Sequence, residues 1–344
     1  MGTRKRRVSV IYSISKLVKW DDLHMELISN CTADAISNAS QALIDGHLVA
    51  FPTETVYGLG ANATNEKAVS RIYTVKARPT NHPLIVHISS TNKLEDWATD
   101  IPDYAIKLAR EFWPGPMTLI LKRSGLAKNF ITGGQENVGL RVPSHPLALK
   151  LLTEFEQLGG NGIAAPSANR FGAVSSTNTE AVIEEVGNYL GVNDLVLDGG
   201  QCSVGVESTI IDCTSEKPFV LRPGAITIEK IEMITGNYVL LSSEKNEIRA
   251  AGSLGSHYSP KAKVVIDTVA EPGDGFIALA GIATPNGAVR LASPQNIEEF
   301  ARVLYRALRA GDQVALKKII VCQPEGNGLA VAIRDRLNKS AFGS

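Results

Sequence analysis

The chain has 344 residues, with 35 Lys+Arg against 35 Asp+Glu and a formal net charge of +0. Hydrophobic residues make up 44% and charged residues 20%, a globular composition that excludes a disordered chain and suits two domains better than one. No run of 18 apolar residues occurs, which excludes a membrane-spanning helix, and the zero balance argues against a dedicated nucleic-acid binder, whose footprint is basic.

Residues 1–27 carry six basic and three acidic groups, and Met1–Trp20 holds Arg4, Lys5, Arg6, Arg7, Lys16 and Lys19 with no acid. This start lacks the apolar core of a secretory signal. It reads as a basic N-terminal extension, a disordered tail first and an organelle transit peptide second, on a protein expected in the cytoplasm. From 28 to 235 short β-rich runs alternate with helical patterns. Strands are expected at Leu48–Phe51, Leu84–Ile88, Met117–Leu121, Val138–Val142, Gly162–Ala165, Leu195–Asp198, Thr209–Asp212 and Phe219–Arg222. Helices are expected at Asp34–Ile44, Glu66–Val75, Tyr104–Phe112, Leu147–Gln157 and Glu180–Asn188, the last opened by Thr177 in a capping box with Glu180. That alternation makes an α/β domain.

Residues 236–262 are polar and Gly/Ser-bearing, and read as a linker. A smaller α/β unit, 263–344, follows. Its strands are expected at Val264–Ile266, Phe276–Ala280 and Ile319–Val321. One helix is expected after Ser293-Pro294 as N-cap and N1, on the spacing of Ile297, Phe300, Val303, Leu304, Ala307 and Leu308, and another at Leu329–Leu337. Cys31, Cys202, Cys213 and Cys322 form no CxxC and have no zinc spacing, so they read as small buried hydrophobes in a reducing compartment. No P-loop, GxGxxG, HExxH or GxSxG motif occurs, so any nucleotide chemistry needs another cradle.

The most informative stretch is Phe51-Pro52-Thr53-Glu54-Thr55-Val56-Tyr57-Gly58-Leu59-Gly60, where a strand ends, Pro52 turns the chain and two glycines permit tight geometry. By pattern alone it is a strand–turn–helix corner. Lys76 and Arg78 then stand at a helix end before Pro79, where two cations converge on one anion or simply face water. Arg141, the segment Ala165-Pro166-Ser167-Ala168-Asn169, Ser208 and Arg222 each put polar groups near a strand end. In open α/β sheets ligands bind beyond the carboxyl ends of strands. Residues 28–235 carry 16 basic and 22 acidic groups, so four cations gathered at loops mark a local cleft for a polyanion.

These stretches resemble a known family. PTETVYGLG, KxRPxxHPL, FWPGPMTLIL, VGLRVPSHP, APSANRFG, ESTI and LRPGAI occur in the order of the YrdC-like domain, and His257-Tyr258-Ser259-Pro260 resembles the HYxP signature of its two-domain Sua5 form. The resemblance implies a twisted open mixed sheet with flanking helices, followed by a smaller Rossmann-like α/β domain. It implies a nucleotidyltransferase that joins L-threonine, bicarbonate and ATP into threonylcarbamoyl-adenylate, pyrophosphate and water. A separate complex would then transfer the threonylcarbamoyl group to N6 of an adenosine in tRNA, with at most weak direct contact between this chain and tRNA. A catalytic tetrad falls on Lys76, Arg78, Ser167 and Asn169. Thr53, His87, Arg141, Ala165 and Ser208 would hold threonine. Lys76, Arg78, Asn81, Thr118, Ser167, Ser175, Arg222 and Tyr258 would line the ATP side, with Tyr258 closing over the nucleotide. Mg²⁺ would arrive with ATP, and no protein-bound metal is expected. The stretch Ala251-Gly252-Ser253-Leu254 departs from the SPGM-like sequence usual before HYxP. The alternatives are a carbamoyl-adenylate-forming carbamoyltransferase and a YrdC-type RNA-binding module.

Overall fold

The computed structural model describes residues 26–28, 33–241, 248–249 and 257–343. Cys31, the segment 251–254 and most of the expected basic extension lie outside the described residues. The chain runs β1 (Glu26–Ile28), α1 (Ala33–Ile44), β2 (Val49–Phe51), β3 (Gly58–Asn62), α2 (Glu66–Lys76), β4 (Ile85–His87), α3 (Leu94–Trp97) and α4 (Asp103–Phe112). Next come β5 (Met117–Lys122), α5 (Asn129–Thr132), β6 (Asn137–Arg141), α6 (Pro146–Gln157), β7 (Ile163–Ala164), α7 (Thr179–Val186) and β8 (Leu195–Leu197). β9 (Thr209–Asp212), β10 (Phe219–Arg222), α8 (Ile228–Thr235) and β11 (Leu240–Leu241) complete the first unit. The second unit holds β12 (Lys263–Ile266), β13 (Gly275–Ile277), β14 (Val289–Ala292), α9 (Ile297–Gln313), β15 (Lys318–Val321) and α10 (Leu329–Gly343).

The first eleven strands form one sheet in the order β1-β8-β2-β3-β7-β4-β6-β5-β9-β10-β11. It is mixed: β4 runs parallel to β6 and β5 to β9, while β3, β7 and β4 are successively antiparallel. Glu26 and Leu27, placed in the N-terminal extension from the sequence, pair in parallel with Leu195 and Val196. The second sheet is all parallel, in the order β12-β15-β13-β14.

Alternation along the strands divides the large sheet into two faces. Val86, Leu119, Leu121, Val138 and Leu140 share one core with Leu94, Trp97, Tyr104 and Leu108 of α3 and α4. On the opposite face Val49, Phe51, Ile163 and Ala165 pack under Ile36 and Leu43 of α1 and Leu147, Leu151 and Phe155 of α6. A third core joins the two units: Val56, Val174 and Val206 pack with Phe300, Leu304 and Leu308 of α9 and Ile333 and Leu337 of α10.

Three local readings are corrected. The corner at Gly58 is a hairpin, with β3 antiparallel to β2 in the register Val49↔Gly60 and Phe51↔Gly58. Glycine is required there by close packing, because a Cβ on Gly60 would meet Ile163 Cγ2 and Phe51 Cε1 at 2.8 Å. The cap of α7 is Asn178, whose side chain accepts from Ala181 N at 3.1 Å; the Thr177 carbonyl is already bonded to Cys202 N. The cap of α9 is Asn296, accepting from Glu299 N, while Pro294 lies outside the helix and its carbonyl takes Ala280 N at 2.8 Å.

Candidate active site

The hairpin loop after β2 is built around one hydroxyl. Thr53 Oγ1 donates to Val56 O at 2.7 Å, lies 2.8 Å from Thr55 Oγ1 and accepts from the amides of Thr55 and Val56 at 3.2 and 3.3 Å. Such a turn stiffens the loop without regular backbone pairing. Val56 and Tyr57 are thereby held in the cavity lining, next to Gly58, the first residue of β3.

α2 delivers the two cations of the KxR motif to different places. Asn65 caps its start, accepting from Ala68 N, and the helix ends at Ala77 in the left-handed region at φ 50°. Arg78 N closes the turn on Tyr73 O. This C-terminal turn points Lys76 under the 167–169 loop, where its Nζ donates to Ser167 O at 2.6 Å and to Asn169 O. Burial, helped by the nearby Arg78 charge, pushes the Lys76 ammonium well below the usual lysine range. Arg78 faces the cavity, with Nη2 on Pro83 O at 3.0 Å and its guanidinium 5.7 Å from the Phe171 ring. Burial pushes its pKa down to about 10, so it is a cation at neutral pH.

β4 and β6 set the floor. Ile85 and His87 pair with Gly139 and Arg141, so all four project from the same face. Burial pushes the His87 imidazole down to about 3, with the Arg141 charge adding to the effect, and the ring is neutral. Arg141 Nη2 meets Glu54 Oε1 at 2.6 Å, and Glu54 Oε2 accepts from Ser144 N at 3.0 Å. Both side chains are buried, at 5% and 7% exposure.

The wall on the β9–β10 side is a hydroxyl–guanidinium pair. Ser208 Oγ lies 2.8 Å from Thr118 Oγ1 and accepts from Arg222 Nη2 at 3.1 Å, while Arg222 Nε and Nη2 also donate to Ser208 O. Next to it, the buried Glu207 carboxylate accepts from Ser175 Oγ at 2.5 Å. The mouth is closed by His257 and Tyr258, both buried, with ring centroids 4.3 Å apart and Tyr258 at φ 64°.

The cavity enclosed by these segments is lined by Thr53, Arg78, His87, Arg141, Ala165, Ser167, Ser208, Arg222 and Tyr258 of the sequence-derived set. Lys76 and Asn169 lie just behind that lining. Asn169 Nδ2 donates to Arg170 O and Ala173 O at 2.8 Å each, so both residues shape the loop that presents Ser167. Thr118 and Ser175 reach the lining through Ser208 and Glu207. Asn81 is exposed on the turn between α2 and β4 and does not line the cavity. Reasoning from sequence missed Glu54, Thr55, Glu207 and His257 as lining or supporting groups. All four stand inside the motifs given above, and their neighbours Thr53, Ser208 and Tyr258 are the available signal. The site also gathers strand ends of both kinds: His87, Arg141 and Arg222 are the last residues of β4, β6 and β10, whereas Gly58 opens β3 and Ser208 precedes β9. In a mixed sheet the carboxyl ends point both ways, so the strand-end rule of parallel sheets does not apply.

Several buried polar atoms of residues that line this space have no hydrogen-bond partner among the described residues: Arg78 Nε, His87 Nδ1, Arg141 Nε, His257 Nδ1 and Tyr258 OH. Buried polar groups are nearly always hydrogen-bonded, and an orphan set around one cavity is the imprint of a polar ligand.

Two family models match the chain. One, described as telomere recombination and covering the Sua5, YciO and YrdC proteins, spans residues 41–224; the other, the threonylcarbamoyl-AMP synthase C-terminal domain, spans 226–342. The chain belongs to the Sua5/YrdC family. It is 39% identical over 316 residues to the threonylcarbamoyl-AMP synthase of Pyrococcus abyssi, covering 86% of this chain and 91% of that one. It is 38% identical to the Bacillus subtilis enzyme of the same name over 90% of this chain and 93% of that one. The crystal structure of P. abyssi Sua5 complexed with L-threonine superposes with a TM-score of 0.84 at 36% identity, covering 93% of this chain and 98% of that one. The twisted mixed sheet and the smaller second α/β domain expected from the Sua5 resemblance match the fold of that relative. No helix among the described residues is long and apolar enough to cross a membrane.

Proposed function

We infer that the chain is a threonylcarbamoyl-AMP synthase, joining L-threonine, bicarbonate and ATP into threonylcarbamoyl-adenylate and pyrophosphate. The observation that carries the reading is the ring of orphaned polar atoms around a cavity with three arginines, Arg78, Arg141 and Arg222, in its lining. Coupling a carbamate to a triphosphate brings two anions together, which costs several kcal/mol at a few Å in a partly dry site unless cations intervene.

In this reading the threonine amine and bicarbonate give the carbamate with loss of water. A carbamate oxygen then attacks the α-phosphorus of ATP, and pyrophosphate leaves. Thr53, His87, Arg141, Ala165 and Ser208 form the threonine end. The orphan Nε of Arg141 faces the threonine carboxylate, and neutral His87 offers a hydrogen bond without adding charge. Arg78, Ser167, Arg222 and Tyr258 form the ATP end. Arg supplies forked contacts to phosphate. Lys76 and Asn169 fix the loop that carries Ser167. Among the described residues no cluster of three or more His, Cys, Asp or Glu could hold a metal, and Mg²⁺ enters as part of the MgATP substrate. No side chain acts as covalent nucleophile. The rate comes from positioning, charge stabilisation and exclusion of water from an unstable carbamate. His257 and Tyr258 close the mouth and must move for ATP to enter. The catalytic unit is 28–235, the lid segment 236–262 and the covering domain 263–344, acting upstream of a threonylcarbamoyl-transfer complex.

The test is pyrophosphate release by the purified chain with each substrate omitted in turn. Release that needs ATP, L-threonine and bicarbonate together supports the reading. Release indifferent to threonine, or RNA binding that weakens steeply with salt and no turnover, overturns it.

A further inference from the structure

Two residues of the second unit reach into the wall of the cavity. Arg336 of α10 is fully buried, and its Nε donates to Glu207 Oε2 at 2.8 Å. Tyr305 of α9 donates its hydroxyl to the same oxygen at 2.8 Å. Arg336 Nη2 reaches two backbone carbonyls, Pro223 O at 3.0 Å and Glu207 O at 3.4 Å. Its guanidinium also lies 5.4 Å from the Tyr258 ring, which stacks on Tyr305 at 5.8 Å. One side chain from the second unit thus fastens three segments of the cavity: Glu207–Ser208, Arg222–Pro223 and the lid residue Tyr258.

The charge logic follows from Glu207. A carboxylate in the lining of a polyanion site repels the ligand and competes for its cations. Burial alone would raise the Glu207 carboxyl, but the Arg336 charge, then Arg222 and the Ser175 hydroxyl, hold it down to about 2, so it is ionised. Its hydrogen bonds go to Ser175, Tyr305 and Arg336, whereas the Arg222 guanidinium is directed at Ser208. Without Arg336 the nearest compensating cation is Arg222, which would turn toward Glu207 and away from the nucleotide.

We propose that Arg336, assisted by Tyr305, is a positioning residue for the reaction: it supplies the counter-charge of Glu207 from the second unit and so keeps Arg222 on Ser208 in the cavity wall, the place from which it serves the ATP end. This assigns a task in the reaction to the C-terminal domain, and it rests on the synthase reading above.

The experiment measures KM for MgATP and for L-threonine in full-length Arg336→Gln, Arg336→Lys, Tyr305→Phe and Glu207→Gln/Arg336→Gln chains, with urea midpoints alongside. Arg336→Gln is expected to raise the ATP KM about tenfold or more, the scale of one lost charge-assisted hydrogen bond, with the threonine KM moved less than about threefold because Ser208, though it loses Arg222, keeps its 2.8 Å contact with Thr118. Arg336→Lys should recover most of the loss, and the double variant should return the ATP KM to within about threefold of the parent, because Glu207 and Arg336 lose their charges together while Asp335, which Arg336 also meets at 2.5 Å, keeps Lys339 at 3.0 Å. Should Arg336→Gln fail to fold, Tyr305→Phe keeps the ring stack and should raise the ATP KM about threefold with threonine unmoved. An unmoved ATP KM in these variants, a parallel rise in both KM values, or a double variant worse than Arg336→Gln alone overturns the proposal. A parent chain that releases no pyrophosphate overturns the synthase reading and this one with it.

Discussion

Glu54→Gln keeps the shape of a side chain and removes a buried charge. In the parent, one Glu54 oxygen takes Arg141 Nη2 at 2.6 Å and the other takes Ser144 N at 3.0 Å. A glutamine has one carbonyl oxygen for these two donors, so its amide group must face a donor on one side. Arg141, 5% exposed, is left as a buried cation with a weakened partner. Breaking a buried pair costs on the order of 3–5 kcal/mol, and the retained amide oxygen places this case near about 3 kcal/mol. Urea unfolding followed by fluorescence measures the loss directly. Threonine makes the test specific, because its carboxylate is the partner we assign to Arg141. Saturating L-threonine should therefore stabilise Glu54→Gln more than it stabilises the parent, through binding to the folded state alone. A loss below about 1 kcal/mol refutes the cost assigned to the pair. Equal stabilisation of both chains by threonine refutes the placement of its carboxylate at Arg141.

Lys76→Ala and Arg78→Ala are each expected to lower threonine-dependent pyrophosphate release by about 10²-fold, the scale of losing one electrostatic stabiliser, and normal turnover would remove either residue from the account. Gly60→Ala puts a methyl 2.8 Å from Ile163 and Phe51 in the β2–β3 hairpin, and should cost about 1–3 kcal/mol in urea unfolding; a neutral result would show that the hairpin can open there. Stability should also fall in mild acid. His87 and His257 both titrate near 3 in the folded chain, because burial disfavours the cation, against 6.5 for an unperturbed imidazole. The unfolded chain therefore binds up to two protons that the native one refuses. Their contribution is complete above about pH 6.5 and is lost as pH falls toward 3, at up to about 2.7 kcal/mol per pH unit. Flat stability between pH 7 and 5 would contradict the burial of these rings.

The parts of the fold legible in the sequence were those where one physical signal acts alone. Leu84–Ile88, Val138–Val142 and the helix faces of α2, α4 and α9 follow from short apolar runs and 3.6-residue spacing. β3 was hidden because Gly58 and Gly60 read as a turn, and their need for a small side chain appears only when Phe51 and Ile163 close over them. The caps of α7 and α9 were misplaced by one and three residues. In each case a nearer-looking candidate, Thr177 or Ser293-Pro294, has a neighbouring carbonyl bonded elsewhere in the fold. Loop residues of the site were visible as motifs, but their common location was not. Ile85, His87, Gly139 and Arg141 share a face only through the β4–β6 register. Arg336 carried no signal at all, since it meets Glu207 from 129 residues away through the packing of the second unit.

The central claim is that one cavity couples a threonine carbamate to the adenylyl group of ATP. The most direct measurement is mass spectrometry of the nucleotide product formed from ATP, L-threonine and ¹³C-bicarbonate. The account predicts an adenylate carrying both threonine and one ¹³C atom, formed in step with pyrophosphate. Pyrophosphate release with only unmodified AMP, or a threonine adduct without the label, would contradict it.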